Sequence, residues 1–456
     1  MNGMTQIMLW CFLLMPLLAA CDQQNEQDRQ DKSETVSEEQ TLRGTRELVE
    51  LGIGPGDSSP CKIVDVAMSE ADWDSKAMFW LSLAAGNCSL PIDDVTSSMA
   101  YAALGDKDIA IKVEGDVLTL FQRTSGVKPS ACCSLSRLTM HPLAEDTIWI
   151  ARQRLRDLDS AMLIQATLRV SSVADGTERS GDALYDEYFD TVYWRGPNAP
   201  APFETIEIEA LKGQLTKHTL FSPELGETRY LTVYRPDTDQ TGLPVIIMAD
   251  NGSEGLAGTI EPLIQSGQIA PVILVGLQSG QDGIVEDRSA IGDNSELRTY
   301  DYVPDWNAQG RPPAAASRFD NHLAFVVDTV LPWVRDEFSA TADPDMTVVT
   351  GWSNGGVFAF NSGLRRGDIF GQAWPMSLGR GGLIKRPEAM PQPWAVFRLS
   401  AGHYETGFMR ATYETAQFLK EGGYEVDTHW YSAGHAVDQW EARFVENLRA
   451  VFSAED

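Results

Sequence analysis

Residues 347–356 read Thr-Val-Val-Thr-Gly-Trp-Ser-Asn-Gly-Gly, and this stretch decides the fold that we expect. Its β-branched run predicts a strand, and the residues that follow, 357–360, begin an apolar helical pattern. Between them Ser353 is bracketed by Gly351 and Gly355, as a tight strand-to-helix turn requires, because side chains there would collide with the strand and the helix. Such a turn projects the serine hydroxyl out of the fold. We therefore predict that Ser353 is a nucleophile.

The composition limits the class of protein. The chain has 456 residues, of which 43% are hydrophobic, so it is long enough for more than one domain and apolar enough to fill sizeable cores. Its formal net charge is −29, which argues against nucleic acid as a partner because the phosphates would be repelled. The same charge disfavours adsorption to anionic lipid. It also makes an anionic substrate unfavourable unless the site holds local cations.

The C-terminal part of the chain, residues 206–456, alternates strand-like and helix-like patterns. The strand-like runs are 229–234, 245–249, 272–276, 346–350, 394–400 and 425–431. The helical patterns are 319–338, 355–364, 406–421 and 436–452. Alternation of this kind predicts a mostly parallel sheet with helices on its faces, so we expect an α/β fold for this domain.

Residues 46–205 show a different pattern, and we expect them to form a β-sandwich-like domain that ends in a proline-rich linker, 195–202. Short alternating runs separated by turn signals are typical of an antiparallel sandwich. These runs are 76–82, 109–113, 116–122, 147–152 and 160–168. The aromatic residues of this region could form a sugar- or aryl-binding surface, although packing in a small core is the favoured interpretation. They are Trp73, Phe79, Trp80, Phe121 and Trp149.

The first 45 residues carry export signals. Residues 7–20 form an apolar segment too short to span a bilayer, and it runs directly into Cys21 through Leu-Ala-Ala. This ending resembles a bacterial lipobox, which predicts a signal peptide over 1–20, acylation of Cys21 and a lipid-anchored protein on the periplasmic face of a membrane. Because residues 1–6 contain no Lys or Arg, a plain signal peptide is the alternative. Residues 21–45 are polar and charged, so we expect a disordered tether.

Four further cysteines lie in the N-terminal half. They are Cys61, Cys88, Cys132 and Cys133. In an exported protein an even set suggests disulfides, but the pairing cannot be read from the sequence. Their spacing fits no zinc signature, and the predicted chemistry requires neither a metal nor an organic cofactor.

A serine nucleophile needs a base, and His435 is the candidate. It follows the last predicted strand and precedes the last predicted helix, which is the loop that supplies the histidine when the triad runs serine, acid, histidine along the chain. The other histidines fit less well: His141 and His218 precede the expected catalytic sheet, His322 falls within a helical pattern and His429 within a strand-like run.

The acid that orients the base should follow the preceding strand. Glu405 lies there, after a glycine turn and at the start of a predicted helix, and it is the favoured candidate. A glutamate at this position could instead only stabilise the helix N-terminus. Asp438 and Asp427 are the alternative acids.

The developing oxyanion needs two N–H donors. The backbone N–H of Asn354, directly after the nucleophile, is one expected donor. The second should come from the loop after the strand at 245–249, where Gly252 and Ser253 are the candidates.

The C-terminal part resembles the family of α/β-hydrolases that includes the enterochelin (enterobactin) esterases. Four features carry the resemblance. They are the elbow Gly351-Trp-Ser-Asn-Gly-Gly356, Gly402-His-Tyr-Glu405 followed by Met409-Arg-Ala411, Gly434-His435 with Trp440 five residues on, and Leu331-Pro332-Trp-Val. More weakly, residues 140–149 and 78–80 resemble the domain that precedes the hydrolase in those esterases. The resemblance thus spans most of residues 75–456.

The resemblance implies a serine esterase with the triad Ser353, His435 and Glu405, acting on a carboxylic ester or on a siderophore trilactone. Two alternatives remain open: a feruloyl or acetyl esterase with a glycan-binding sandwich domain, and a non-enzymatic ligand-binding lipoprotein on a hydrolase fold. The sequence departs from the family pattern around the acyl pocket, at Ala436 after His435 and in the lengthened Asp250-Asn-Gly252. Four arginines could supply local positive charge for an anionic ligand or simply be solvated. They are Arg288, Arg298, Arg311 and Arg318.

Overall fold

A computed structural model describes residues 87–454 except for several internal stretches. The exceptions are 125–128, 134, 136, 137, 139, 145, 146, 170–187, 251, 280–294, 305–317 and 380–394. The predicted signal peptide, Cys21, the tether, the aromatic run at 76–82 and Cys61 lie outside the described residues. The chain divides into two compact units, 1–91 and 92–456, and strand β1 (Asn87–Ser89) belongs to the first. The domain boundary expected near residue 205 stays a prediction.

The N-terminal part of the second unit consists of two antiparallel sheets and one helix, α1 (Ser97–Leu104). Its strands are β2 (Ile109–Glu114), β3 (Val117–Arg123), β4 (Ser130–Cys133), β5 (His141–Ala144), β6 (Ile148–Leu155), β7 (Ile164–Arg169) and β8 (Tyr188–Trp194). In one sheet β6 lies between β3 and β5, and β2 pairs with β3; in the other, β7 lies between β4 and β8. We call the segment from β2 to β8 the N-terminal β region.

The core of the N-terminal β region draws apolar residues from both sheets, as in a sandwich. Leu120 of β3 and Ile164 of β7 belong to the same buried cluster. Trp149 and Phe121 are 8% and 1% exposed, so these two aromatic residues pack in cores. Trp73, Phe79 and Trp80 are not among the described residues. The run at 160–168 is only partly a strand, because Leu158–Ser160 form a 3₁₀ turn before β7 begins.

The C-terminal part is built on an eight-stranded sheet in the order β16-β15-β14-β13-β11-β12-β10-β9. Its strands are β9 (Gln214–Ser222), β10 (Glu227–Arg235), β11 (Val245–Ala249), β12 (Ile273–Leu277), β13 (Thr347–Trp352), β14 (Gln372–Met376), β15 (Val396–Gly402) and β16 (Val426–Tyr431). All pairs are parallel except β10 with β12 and β9 with β10. The predicted α/β fold with a mostly parallel sheet is confirmed.

Helices cover both faces of this sheet. They are α2 (Ser253–Gln265), α3 (Ser295–Tyr302), α4 (Phe319–Ala324), α5 (Leu331–Phe338), α6 (Asn354–Arg365), α7 (Thr406–Glu421) and α8 (Val437–Phe452). The five residues of β11 are all buried, and alternate side chains enter different clusters: Ile247 packs with residues of α4, α5 and α6, whereas Ile246 packs with residues of α2 and α8. A strand that is buried on both faces has a continuous run of apolar residues in its sequence, as β11 does.

Several elements differ from the sequence-based expectation. The pattern at 319–338 is α4 and α5 joined by a π-helical segment, Phe325–Val330. Strand β14 was not predicted because it is short and carries Pro375, which is rare inside a sheet since proline cannot donate to the ladder. Helix α2 is absent from the predicted helical patterns, and it begins within the expected loop after 245–249; its early glycines, Gly255 and Gly258, are poor helix formers.

None of the helices in the described ranges combines the length and apolar character that crossing a bilayer requires. Among the same residues, no group of three or more His, Cys, Asp or Glu side chains is placed to hold a metal ion.

Candidate active site

Ser353 occupies a strained turn between β13 and α6. Its backbone has φ 58° and ψ −124°, a conformation that L-residues rarely adopt. Its N–H donates to the carbonyl oxygen of Met376 at 3.0 Å, which ties the turn to β14. A Cβ added to Gly351 would lie 2.6 Å from the carbonyl oxygen of Gly355, and one added to Gly356 would lie 2.5 Å from that of Met376. The glycines flanking the serine are thus required by close backbone packing.

His435 and Glu405 form a close pair. Nδ1 of His435 lies 2.5 Å from Oε2 of Glu405. The glutamate side chain is fully buried, whereas 18% of the histidine side chain is exposed. With Nδ1 protonated, the imidazole donates to the carboxylate and its Nε2 is left as an acceptor, which is the tautomer that a general base requires.

The other oxygen of Glu405 has three donors. Oε1 accepts from the N–H of Gly402 at 2.6 Å, from Oγ of Ser377 at 2.6 Å and from Nε2 of Gln439 at 2.7 Å. Hydrogen bonds to the charged form are what allow a carboxylate to stay buried. Because Oε1 is fully engaged, Oε2 is the oxygen directed at His435.

The two alternative acids bind arginines instead. Oδ2 of Asp438 lies 2.5 Å from a guanidinium nitrogen of Arg195. Oδ2 of Asp427 accepts from Arg398 and Arg443 at 3.1 and 2.7 Å. Burial alone would raise the pKa of Asp427, but the two guanidinium groups outweigh burial and lower this pKa.

Aromatic rings connect the histidine to the serine turn. The ring of Phe408 stacks on His435 with centroids 3.9 Å apart, and Trp440 meets the same imidazole edge-on at 4.8 Å. Trp440 also stacks on Trp352, the residue before Ser353, with centroids 5.0 Å apart and an interplanar angle of 6°. The loop of the base and the turn of the serine are therefore packed against each other through Trp440.

The expected oxyanion donors lie at two helix starts. Asn354 is the first residue of α6, and the first N–H groups of a helix have no acceptor within it. Gly252 immediately precedes α2, and a Cβ added to it would lie 3.0 Å from the ring of Trp352. The hydroxyl of Ser253 is hydrogen-bonded to the hydroxyl of Thr232, so its side chain is turned toward β10.

Of the other histidines, one lies in β9 and two have a lowered pKa. His218 lies in β9, so it belongs to the eight-stranded sheet rather than preceding it, and its Nε2 lies 2.7 Å from Oγ1 of Thr216. Burial, opposed only in part by Asp301, lowers the pKa of His322 to about 3. Burial, followed by the charge of Arg156, lowers the pKa of His403 to about 4.

Two of the arginines considered as ligands for an anion are engaged in ion pairs. Arg298 binds both carboxylate oxygens of Asp250, at 2.6 and 2.5 Å. Arg318 binds Glu227 at 2.6 Å and Asp301 at 2.9 Å. Their charges are thus compensated within the protein. Arg288 and Arg311 are outside the described residues.

The N-terminal β region contacts both loops of the acid–base pair. Tyr404, directly before Glu405, is 2% exposed and belongs to the core of the N-terminal β region, and its hydroxyl donates to the carbonyl oxygen of Arg156 at 2.6 Å. The N–H of Met162 donates to the carbonyl oxygen of Ser432 at 2.8 Å, three residues before His435. The region that precedes the α/β fold therefore supports the loops that carry acid and base.

The sequence-based search missed Ser377, Gln439 and Tyr404. Ser377 follows β14, so predicting that strand would have placed it at the carboxyl edge of the sheet, beside the neighbouring strand ends. Gln439 lies four residues after His435, at the third position of α8. Tyr404 lies inside the motif quoted for the acid, but nothing in the sequence indicated that it packs against the N-terminal β region.

Residues 222–395 match the family model described as "Putative esterase". The chain is an ester hydrolase. Its fold is similar to that of the enterobactin esterase of Shigella flexneri, at 15% identity and a TM-score of 0.51, over 79% of this chain and 98% of that one. The ferric enterobactin esterase of Salmonella typhimurium gives 12% identity and the same TM-score, 0.51, over 75% and 96% of the two chains.

A third similar structure is a ferulic acid esterase of Anaeromyces mucronatus, at 17% identity and a TM-score of 0.43 over 55% of this chain and 95% of that one. At these identities the two matches with a TM-score of 0.51, to the enterobactin esterases, establish a shared fold. The predicted resemblance to enterochelin esterases is confirmed at the level of fold and reaction class.

Gly402 offers a test of how tightly the acid loop is packed. A Cβ there would lie 2.2 Å from the carbonyl oxygen of Ala433, so Gly402→Ala must displace the backbone of the loops that carry Glu405 and His435. We expect a loss of unfolding free energy of about 2 kcal/mol or more and a large loss of kcat. The matched control is Gly407→Ala in α7, where nothing lies within 4 Å of an added Cβ and helix propensity favours alanine. Urea unfolding and esterase assays would measure both; equal stability of the two variants would contradict the packing argument.

Proposed function

We propose that the protein hydrolyses carboxylic ester or lactone bonds with Ser353 as nucleophile, His435 as base and Glu405 as the orienting acid. The observation that carries this proposal is the 2.5 Å contact between Nδ1 of His435 and the buried carboxylate of Glu405. The strained backbone of Ser353 and the contact of Trp440 with both His435 and Trp352 add to it.

In the proposed reaction, Oγ of Ser353 attacks the ester carbonyl carbon while Nε2 of His435 takes the hydroxyl proton. The carboxylate of Glu405 stabilises the imidazolium without accepting its proton. The N–H of Asn354 and one N–H from Gly252 or Ser253 stabilise the oxyanion of the tetrahedral intermediate. His435 then protonates the leaving alcohol, and a water activated by the same imidazole hydrolyses the acyl-enzyme.

Substitutions at the three proposed residues test the assignment. We expect Ser353→Ala to lower kcat by several orders of magnitude, as removal of a triad member does. Glu405→Gln should lower kcat by less than Ser353→Ala, because the acid orients the base and does not take part in bond formation. The measurement is kcat and KM on a p-nitrophenyl short-chain ester.

Asp438→Asn is the matched control, since it removes a nearby carboxylate, at the second position of α8, that binds Arg195. A normal Glu405→Gln together with a crippled Asp438→Asn would overturn the acid assignment. The alternative of a non-enzymatic binding lipoprotein predicts a different result: no turnover of the ester and no labelling of Ser353 by a fluorophosphonate.

For the substrate, we propose a neutral polyester of the trilactone type rather than its ferric complex. The similar enterobactin esterases suggest a trilactone, whose carbonyl groups need only a nucleophile, a base and an oxyanion hole. A ferric tris-catecholate is a trianion, and a chain of net charge −29 repels it over a Debye length of about 8 Å. Arg298 and Arg318, which could have offset this repulsion, are already paired with carboxylates.

The substrate proposal is tested by kcat/KM for iron-free and ferric enterobactin at low and high salt, beside a feruloyl ester. We expect faster hydrolysis of the iron-free form, with a difference that shrinks as salt screens the repulsion. Faster turnover of the ferric form at low salt would refute the charge argument. Good activity on the feruloyl ester with negligible activity on both trilactones would favour a carbohydrate esterase.

We also propose that the mature protein is anchored by a lipid at Cys21 and faces the periplasm. The support is the apolar segment that ends in Leu-Ala-Ala before Cys21 and the polar stretch that follows. Cys21→Ser, or globomycin treatment, should block maturation and release the protein from membranes. A Cys21→Ser protein that remains membrane-bound and correctly sized would disprove the anchor.

A further inference from the structure

Trp440 contacts the surroundings of all three proposed triad residues. Its ring stacks on Trp352 beside the nucleophile and meets His435 edge-on. Its indole N–H donates to Oγ of Ser377 at 2.7 Å, and Oγ of Ser377 donates to Oε1 of Glu405 at 2.6 Å. A single side chain thus reaches the acid, the base and the turn that carries the serine.

The donor and the acceptor are unambiguous in both hydrogen bonds, the one from Trp440 to Ser377 and the one from Ser377 to Glu405. An indole N–H can only donate, so Oγ of Ser377 must accept from Trp440. The hydroxyl has one proton, and a carboxylate can only accept, so this proton is directed at Glu405. Trp440 therefore directs the Ser377 proton at Glu405, and Ser377 is one of the three donors that engage Oε1 and leave Oε2 for His435.

The backbone of Ser377 indicates that its position is imposed by its surroundings. Its φ is 46°, in the left-handed region that a serine adopts rarely. Its N–H donates to the carbonyl oxygen of Ser400 at 2.7 Å, and the next N–H, of Leu378, donates to Oγ1 of Thr412 at 3.0 Å. Ser377 is fully buried. These contacts hold the hydroxyl at the carboxyl edge of the sheet, between β14 and the acid loop.

We propose that Ser377 and Trp440 are positioning residues for the ester hydrolysis described above. Trp440 orients the Ser377 hydroxyl, the hydroxyl fixes the carboxylate of Glu405, and the carboxylate holds His435 with Nε2 available to the serine proton. The inference rests on the proposed function of Ser353, His435 and Glu405. Through this hydrogen-bonded path both residues act on kcat by way of Glu405, so we expect KM to change little.

The experiment uses the full chain with Ser377→Gly, Ser377→Ala, Trp440→Phe and the double variant Ser377→Gly/Trp440→Phe. Both serine variants lack the hydroxyl, but only alanine must place a Cβ at positive φ, so glycine should give the higher Tm. We expect both to lower kcat by the same factor, about 10–100-fold, with KM changed less than about 3-fold. Trp440→Phe keeps an aromatic ring at this position but loses the N–H donor together with the second ring of the indole, so its kcat should also fall.

The double variant decides whether the two residues act through one hydroxyl. If they do, it should be no slower than Ser377→Gly alone, whereas independent roles would multiply the two losses. Trp333→Phe is the control for replacing a tryptophan, because Trp333 packs against His218 and Phe338 and should leave kcat unchanged.

Three results would overturn the inference. The first is a kcat for Ser377→Gly within about 3-fold of the parent while Ser353→Ala is inactive, which refutes positioning and leaves the proposed function intact. The second is a loss of kcat that parallels the loss of Tm, with Ser377→Ala far slower than Ser377→Gly. That result would indicate that Ser377 has only a structural role. The third is full activity of Ser353→Ala, which removes the proposed function and the inference with it.

Discussion

The site depends on keeping a carboxylate out of water. Removing the charge of Glu405 from solvent is costly unless hydrogen bonds replace its hydration. Four donors meet it in this protein: the N–H of Gly402, the hydroxyl of Ser377, the amide of Gln439 and the imidazole of His435. These donors come from β15, from the end of β14, from α8 and from the loop after β16. The elements of the α/β fold must therefore be in place together before the acid can be buried.

The order of the strands explains how those donors converge. Strands β13, β14, β15 and β16 are neighbours in the sheet and run parallel, so their carboxyl ends lie along one edge. Each end supplies one member of the site in spatial order. Ser353 follows β13, Ser377 follows β14, Glu405 follows β15 and His435 follows β16. Sheet topology thus brings residues that are about 80 positions apart along the chain to one edge of the sheet.

The sequence predicted the parts of the site that local rules control. Helix α7 begins and ends at the predicted residues, Thr406 and Glu421, because its apolar period is regular. The strand, the serine turn and the helix around Ser353 could be predicted, because close backbone contacts require glycine at Gly351 and Gly356 and so leave a local sequence pattern. Ser377 was not, because Pro375 concealed its strand and because a hydrogen bond between residues 28 positions apart leaves no local pattern. The ion pairs of Arg298 and Arg318 escaped prediction for the same reason.

Tyr404 and Glu405 are adjacent residues that are buried in different surroundings. Its ring belongs to the core of the N-terminal β region, while the next residue, Glu405, is buried against β14 and α8. The two residues are joined by one planar peptide bond, so a shift in the backbone of one is passed to the other. The two parts of the chain are therefore not interchangeable modules: a grafted N-terminal segment from another esterase would have to reproduce both the apolar socket for this ring and the carbonyl of Arg156. Exchange of N-terminal segments between related esterases is therefore constrained by the contacts of Tyr404, a residue that takes no part in the proposed chemistry.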